Sequence, residues 1–515
     1  MKKRLTFSIL AVAALMSLQT ANATIWRVNN NPGKSGTFGS VVVFADLTTA
    51  LRELNSADGM IEVGDTIHLE GSVTPYGKTP QAWNNCDTIA RRVVLIGPGY
   101  LLSQNTETQH FKESAKVRTI YIAPTAAGTI IAGIEQERPA GNATPISAAN
   151  GTVPLFNGGY ALMALYRAIT ATAGYGHIPS YGWANEPNAF KLRIAADSIT
   201  VTHCKLFYVD LFNAEAIGSG QTAPPSGTRN LTNITITKCF FNPGIIAASA
   251  GLGSVNNLII SNCFFRNDWS PVLGSGYTAH SVSAFLYYTT IDFRHWTAAA
   301  NNTANPWYNT AGFAAGVWDQ VYNTATANNV YQSYTHVVSP IIQNNTFYNA
   351  FSIQGKGCHL YNNLFFPKVN APHYYGLPKD ATRPHVLQGN IVYGGTGAII
   401  TGWTGAADAY YTNNYGGMLN DGNNSYSPSA EANWWAGNTT SNPHIDNTFR
   451  LANSSPAAGA GGVATAQKGM YGGLAPYALS GLYTIPAVWD ISIPSYPSGE
   501  VPSTGFEVRV RVRSH

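Results

Sequence analysis

Short runs of alternating apolar and polar residues recur along the chain in nearly the same words. Ile199-Thr-Val-Thr-His-Cys204-Lys-Leu206, Ile234-Thr-Ile-Thr-Lys-Cys239-Phe-Phe241 and Leu258-Ile-Ile-Ser-Asn-Cys263-Phe-Phe265 are one phrase with cysteine in a fixed slot. Downstream the slot holds asparagine, in Ile342-Gln-Asn-Asn345-Thr-Phe347, Leu360-Tyr-Asn-Asn363-Leu-Phe365, Leu387-Gln-Gly-Asn390-Ile-Val392 and Tyr411-Thr-Asn-Asn414-Tyr415. A period of two is that of a strand with one buried face. Successive slots lie 35, 24, 82, 18, 27 and 24 residues apart. One long insertion thus interrupts a period of roughly 25 residues, in the range of stacked repeat architectures.

Strands at this spacing, without helical patterns long enough for crossover helices, predict an all-β solenoid, a parallel β-helix whose turns stack about 4.8 Å apart. Stacking explains the shared slot. Inward asparagines hydrogen-bond along the ladder and to turn backbone, and cysteine fills the same space as a small hydrophobe. Cys204, Cys239 and Cys263 therefore read as buried structural thiols. Cys358 falls on an inward strand position, and Cys86 lies outside the repeat. In Asp46-Leu-Thr-Thr-Ala-Leu-Arg-Glu-Leu54, residues Leu47, Ala50, Leu51 and Leu54 have helical spacing. They predict a capping helix near 46–56 over the open end of the solenoid.

The cap helix leading into Val63-Gly-Asp-Thr-Ile-His-Leu69, the strand-Asn/Cys-Phe phrase, and the closing Phe449-Arg-Leu-Ala-Asn-Ser-Ser-Pro-Ala-Ala-Gly-Ala-Gly461 together resemble one family. It is the secreted right-handed parallel β-helix proteins of the pectate-lyase-like superfamily, in their Bacteroidetes form. The resemblance covers most of residues 25 to 475 and implies a right-handed coil. It says little about activity, because this fold hosts lyases, hydrolases, adhesins and structural proteins.

Composition narrows the function. Only 11% of the 515 residues are charged, 30 Lys+Arg against 26 Asp+Glu, where an ordinary domain has about 25%. Residues 1–23 combine Lys2, Lys3 and Arg4 with an apolar run from Leu5 to Leu18 and the small end Ala21-Asn22-Ala23, which reads as a signal peptide. Without its three basic residues the chain is nearly neutral, so nucleic acid is an unsuitable partner. With no apolar run of about 20 residues to span a bilayer, the expectation is a secreted protein, extracellular, at the cell surface or periplasmic. Residues 24–475 form the predicted β-helix. Residues 476–515 form a Pro-rich tail ending in the strictly alternating Phe506-Glu-Val-Arg-Val-Arg-Val-Arg513, a strand that packs on its own coil or pairs with another subunit.

Insertions near 136–190 and 266–339 break the repeat. The second holds 14 aromatic residues and only five charged ones, Arg266, Asp268, Asp292, Arg294 and Asp319. Trp269, Trp296, Trp307, Trp318 and Tyr334 are candidate ligand-binding residues, since aromatic faces stack on sugar rings or anchor a protein contact; a local mini-core explains the same composition. Paired catalytic carboxylates, as an Asp-Asp motif, are missing, so a hydrolase of the polygalacturonase type is disfavoured. A β-eliminating polysaccharide lyase needs a base and a cation or arginine beside a uronate carboxyl. Its candidates are Lys238, Arg266, Asp268, Asp292, Arg294 and His295. Lys205 and Lys238 stand on adjacent coils. Counting from the slot sets Asp210 beside Gly244 and Ile245, which predicts no acidic column and no metal site; calcium enters only with the lyase alternative. The favoured reading is a structural, adhesive or glycan-binding surface protein whose partner is a polysaccharide, another surface protein or its own copies. The triplets at Asp65, Asp87 and Asp197 resemble an O-glycosylation sequence and also read as turn residues. His203 and Lys238 share an outward column with Asn262, Asn344, Asn362 and Asn413, expected to be a solvated face.

Overall fold

The computed structural model describes residues 24–38, 41–78, 86–102, 112–137, 146–148, 151–153, 192–211, 229–248, 252–266, 291–297, 331–334, 336–348, 353–354, 357–366, 386–388, 390–392, 468–474, 476–477, 487–492 and 509–513. These residues are mostly β, and nearly all of the large-sheet pairing is parallel. Among them no helix is long and apolar enough to cross a membrane.

Each repeat contributes short strands to up to three rows. Row one is a single sheet, ordered Ile25–Val28, Thr66–Leu69, Val94–Ile96, Ile130–Ala132, Thr200–Thr202, Arg229–Thr237, Leu252–Ser261, Ile341–Gln343, His359–Tyr361 and Val386–Gln388. Its central residues are in register from Trp26 through Ile67, Leu95, Ile131, Val201, Ile236, Ile260, Ile342 and Leu360 to Leu387. From Ile67 to Leu360 these aliphatics are fully buried. Four strands of row one therefore precede the first cysteine phrase.

Rows two and three belong to one further sheet, because Lys205–Leu211 and Phe240–Ala248 each run through both. Row two carries an inward stack of phenylalanines. Phe241 and Phe265 lie 4.7 Å apart, Phe265 and Phe347 4.7 Å, and Phe347 and Phe365 4.9 Å, all near-parallel. Such stacking follows from in-register parallel pairing, which puts like residues directly above one another. Row three comprises Asp87–Ile89, Ile120–Ile122, Leu192–Ile194, the ends of the two long strands, Ile291–Asp292 and Ile353–Gln354.

The slot column is the tie between rows one and two. Asn345 Nδ2 donates to Ile260 O (3.0 Å), Asn363 Nδ2 to Ile342 O (2.8 Å) and Asn390 Nδ2 to Leu360 O (2.9 Å). In return Asn345 Oδ1, Asn363 Oδ1 and Asn390 Oδ1 accept from the backbone N–H of Cys263, Asn345 and Asn363, each at 2.9 Å. The cysteines do more than fill space. Cys204, Cys239 and Cys263 Sγ share their single proton between the carbonyl two residues back, of Thr202, Thr237 and Ser261 at 3.1–3.3 Å, and Ile131 O, Val201 O and Ile236 O at 3.6–3.7 Å, the equivalent carbonyl one repeat back. All five cysteines are free and buried. Asn414 lies outside the described residues.

The capping helix is Leu47–Asn55, with Leu47, Ala50, Leu51 and Leu54 buried as their spacing predicts. Asp46 caps it, accepting from Thr49 N at 2.6 Å, and Arg91 donates to the last-turn carbonyls of Leu54 and Ser56. The Asp triplets act as fasteners between repeats. Asp65 accepts from Thr24 N and Trp26 Nε1, Asp87 from Thr48 Oγ1 and Lys78 N, and Asp197 from Thr232 N.

The column expected to be solvated is instead partly covered. His203, Lys238, Asn262, Asn344 and Asn362 all have left-handed backbone (φ 52–54°), as the turn before the slot requires. Yet His203 and Asn262 are only 6% and 5% exposed. A strap formed by Lys468–Leu474 and Pro476–Tyr477 lies across this side: Asn262 Nδ2 donates to Met470 O and Gly472 O, Met470 N to Thr346 Oγ1, and Gly469 N to Asn362 O. Tyr477 meets Tyr100 with hydroxyls 2.7 Å apart, and both rings pack with the outward Phe240 and Phe264. The terminal strand Arg509–Arg513 pairs antiparallel with Ala487–Ser492 of the same chain, a partner the alternation alone did not suggest. Asn413 lies outside the described residues.

His203 makes the burial testable. Its Nδ1 sits 2.7 Å from Thr202 Oγ1, and burial, followed by the Lys238 ammonium, holds its pKa down at about 4. That is below the ordinary 6.5, so the unfolded chain takes up this proton first as pH falls. The contribution is complete above about pH 6.5 and is lost progressively towards pH 4, on the order of 3 kcal/mol. Urea midpoints measured across that window should therefore fall more steeply for the native chain than for His203→Asn, which keeps the left-handed turn without the titrating ring.

Candidate functional site

Row three inverts the pattern of row one, with two inward flanks and one outward centre. The flanks are aliphatic: Ile120, Leu192, Val209, Ile246, Ile291 and Ile353 on one side, Ile89, Ile122, Ile194 and Leu211 on the other, all buried. The centre runs in register through Thr88, Tyr121, Arg193, Asp210, Ala247, Asp292 and Gln354. This overturns the expected register of Asp210. The strand Phe240–Ala248 shifts by two residues between Leu206 and Tyr208, so Asp210 stands beside Ala247, and Asp292 follows one repeat later. Two carboxylate-bearing positions and an arginine therefore share one column.

Two of the charged positions are covered. Arg193 and Asp210 are each 2% exposed and Tyr121 6%, although the column points away from the aliphatic interior. Tyr121 packs with Cys86 and Ala195. Burial pushes the Cys86 thiol up and the nearby Arg193 guanidinium draws it back, which places that cation beside the head of the column.

Three long excursions adjoin this row. Residues 137–191 run from row two into Leu192–Ile194 and include the hairpin Ile146–Ala148 with Gly151–Val153. Residues 212–228 follow Leu211, and 267–290 lead into Ile291–Asp292. The segment 266–339 is thus two excursions around a genuine repeat strand, rather than one insertion. Directly after Asp292, Arg294–Thr297 pairs antiparallel with Tyr331–Tyr334, setting Arg294 opposite Tyr334, His295 opposite Ser333 and Trp296 opposite Gln332. By the two-residue alternation of a strand, positions 294, 296, 332 and 334 share one face of this ribbon.

The candidates from sequence separate into groups. Asp292, Arg294, His295, Trp296 and Tyr334 come together at row three and its ribbon. Lys238 does not: it occupies the left-handed turn between rows one and two, beside His203, with its ammonium pKa lowered by burial. Arg266 ends a row-two strand, in register with Tyr348. Lys205 forms an ion pair with Glu135 at 2.6 Å and pairs in register with Phe240 on the adjacent strand. Asp268, Trp269, Trp307 and Trp318 lie outside the described residues. Arg193 and Tyr121 were not singled out and Asp210 was set aside on its counted register, although Leu192-Arg-Ile194, Val209-Asp-Leu211 and Ile291-Asp-Phe293 are one repeated apolar-polar-apolar triplet. Among the described residues no group of three or more His, Cys, Asp or Glu is arranged to hold a metal ion.

No protein-family model matches the chain, and no curated protein or solved structure is significantly similar to it. The functional reading therefore rests on the geometry of row three.

Proposed function

We propose that this is an exported right-handed parallel β-helix protein that binds a glycan along row three, at the cell surface or outside the cell. The observation that carries the reading is the ribbon that sets Arg294, Trp296 and Tyr334 directly after Asp292, where excursions adjoin row three; Arg193 and Asp210, each 2% exposed, belong to its support and not to the contact surface. Loops on a rigid scaffold are where binding residues concentrate, and a sugar chain needs both a stacking face and polar groups at fixed intervals. The stacking residues are Trp296 and Tyr334, with Trp269, Trp307 and Trp318 further along the same excursions. Glycan-array binding should be lost at least tenfold in Trp296→Ala, the loss of one stacked ring being about 1.5 kcal/mol, and in Asp292→Asn. Unchanged binding in both variants, with native melting temperature, would remove the basis for the reading.

One observation favours a second reading, a polysaccharide lyase acting by β-elimination: Asp292, Arg294 and His295 stand together at the start of the ribbon. Arg294 would neutralise a uronate carboxyl, His295 would take the proton, and calcium, if used, would enter beside Asp292. Appearance of unsaturated-uronate absorbance on an acidic polysaccharide, abolished in Asp292→Asn, is the expected sign; silence with and without calcium retires it.

A further inference from the structure

Row one has a second outward surface. Between Val94 at one end and His359 at the other, the column Ile130, Thr200, Thr235, Ile259 and Ile341 is partly exposed and in register. Beside it runs a fully exposed turn column, Ser198, Asn233, Asn257 and Ser339, each in the left-handed region (φ 57°, 60°, 53° and 45°). None of these nine positions carries a charge. Nor are the polar groups loose: Asn257 Nδ2 donates to Asn233 Oδ1 at 2.7 Å, and Ser254 Oγ to Asn230 Oδ1 at 3.1 Å, so the amides are fixed at the spacing of the repeats.

We infer that this face adsorbs to a neutral polysaccharide presented as an ordered, insoluble array, and that it is a contact separate from row three. A face without charge selects a partner without charge, which excludes nucleic acid, anionic membrane and acidic glycan. Size excludes a stable second copy of the chain. Five strands about 4.8 Å apart, crossed over four residues at about 3.3 Å, cover on the order of 300 Å², against about 800 Å² per partner in a stable protein pair. A small, flat, regular face gains affinity only where its target repeats. Rows of hydroxyl and amide groups between β-branched methyls match a surface of sugar hydroxyls and C–H faces, and many weak contacts add along it.

The test is co-sedimentation of the full chain with microcrystalline cellulose and with insoluble β-1,3-glucan. The native chain should be retained on at least one, equally in 0.05 M and 1 M salt. Ser198→Asp combined with Ser339→Asp puts two charges three strands apart on exposed left-handed turns that tolerate Asp, and should lower the partition constant at least tenfold without changing the melting temperature. Thr235→Ser should retain binding. Trp296→Ala, which tests row three, should be retained like the native chain. No retention on either solid, retention that survives the double variant, loss in Trp296→Ala, or a dimer that the double variant dissolves would each overturn the inference.

Discussion

Replacing Asn363 with alanine is expected to cost about 4 kcal/mol of stability, the largest loss from any single side chain in the slot column. The side chain is fully buried and makes four hydrogen bonds. Its Oδ1 accepts from Asn345 N and Asn345 Nδ2, and its Nδ2 donates to Ile342 O and Asn390 Oδ1, all at 2.8–3.1 Å. Alanine leaves a backbone N–H and a backbone C=O buried without these partners, each costing about 1–3 kcal/mol. Asn363→Cys should recover part of the loss, because Cys239 and Cys263 show that a thiol in the slot still reaches the carbonyl one repeat back. Urea unfolding of the three proteins measures the ranking: native, then Cys, then Ala. A difference below about 1 kcal/mol between native and Ala would mean the ladder only follows the stacking and does not hold it.

That ladder was legible because it is dense in sequence. A slot flanked by alternating apolar residues recurs with little change, and it marks the turn at which rows one and two meet. The capping helix was legible for the same reason, four buried positions at helical spacing after a capping Asp. Row three was not legible by counting from the slot. Its strands are triplets such as Leu192-Arg-Ile194, too short for periodicity to stand out, and Asn242-Pro-Gly244 adds residues before Ile245 that shift Asp210 onto Ala247. The covering of Asn262 was invisible for another reason. It depends on Met470 and Gly472, some two hundred residues away, and no local pattern encodes that contact. The low charge has the same long-range origin in part, since turn positions that look solvated in sequence lie beneath the strap.

The strap is itself held from the opposite end of the chain, and this gives the second large effect. Gly133 has φ +64°, and a Cβ there would stand 2.3 Å from the backbone oxygen of Gly97. Reciprocally, a Cβ on Gly97 would stand 2.5 Å from Gly133 O. The two glycines let the segment after Val94–Ile96 cross its neighbour closely, fixed by Gly97 N to Ala132 O (2.8 Å) and Gly99 N to Gly133 O (2.7 Å). That crossing delivers Tyr100 to Tyr477. Gly133→Ala therefore combines left-handed strain of about 1–2 kcal/mol with overpacking of about 1–3 kcal/mol against backbone that has little room to yield, about 3 kcal/mol in all. The Tyr100–Tyr477 hydroxyl pair is the reporter. Burial raises both phenols, Tyr100 well above 10, so both resist ionisation where an exposed tyrosine loses its proton. If the crossing seats the latch, Gly133→Ala should expose both, and phenolate absorbance at pH 11 should rise by two tyrosines over the native chain. Tyr477→Phe, which breaks the hydroxyl pair without moving the crossing, should leave Tyr100 protected. Destabilisation by Gly133→Ala with no change in phenolate absorbance would separate the crossing from the strap.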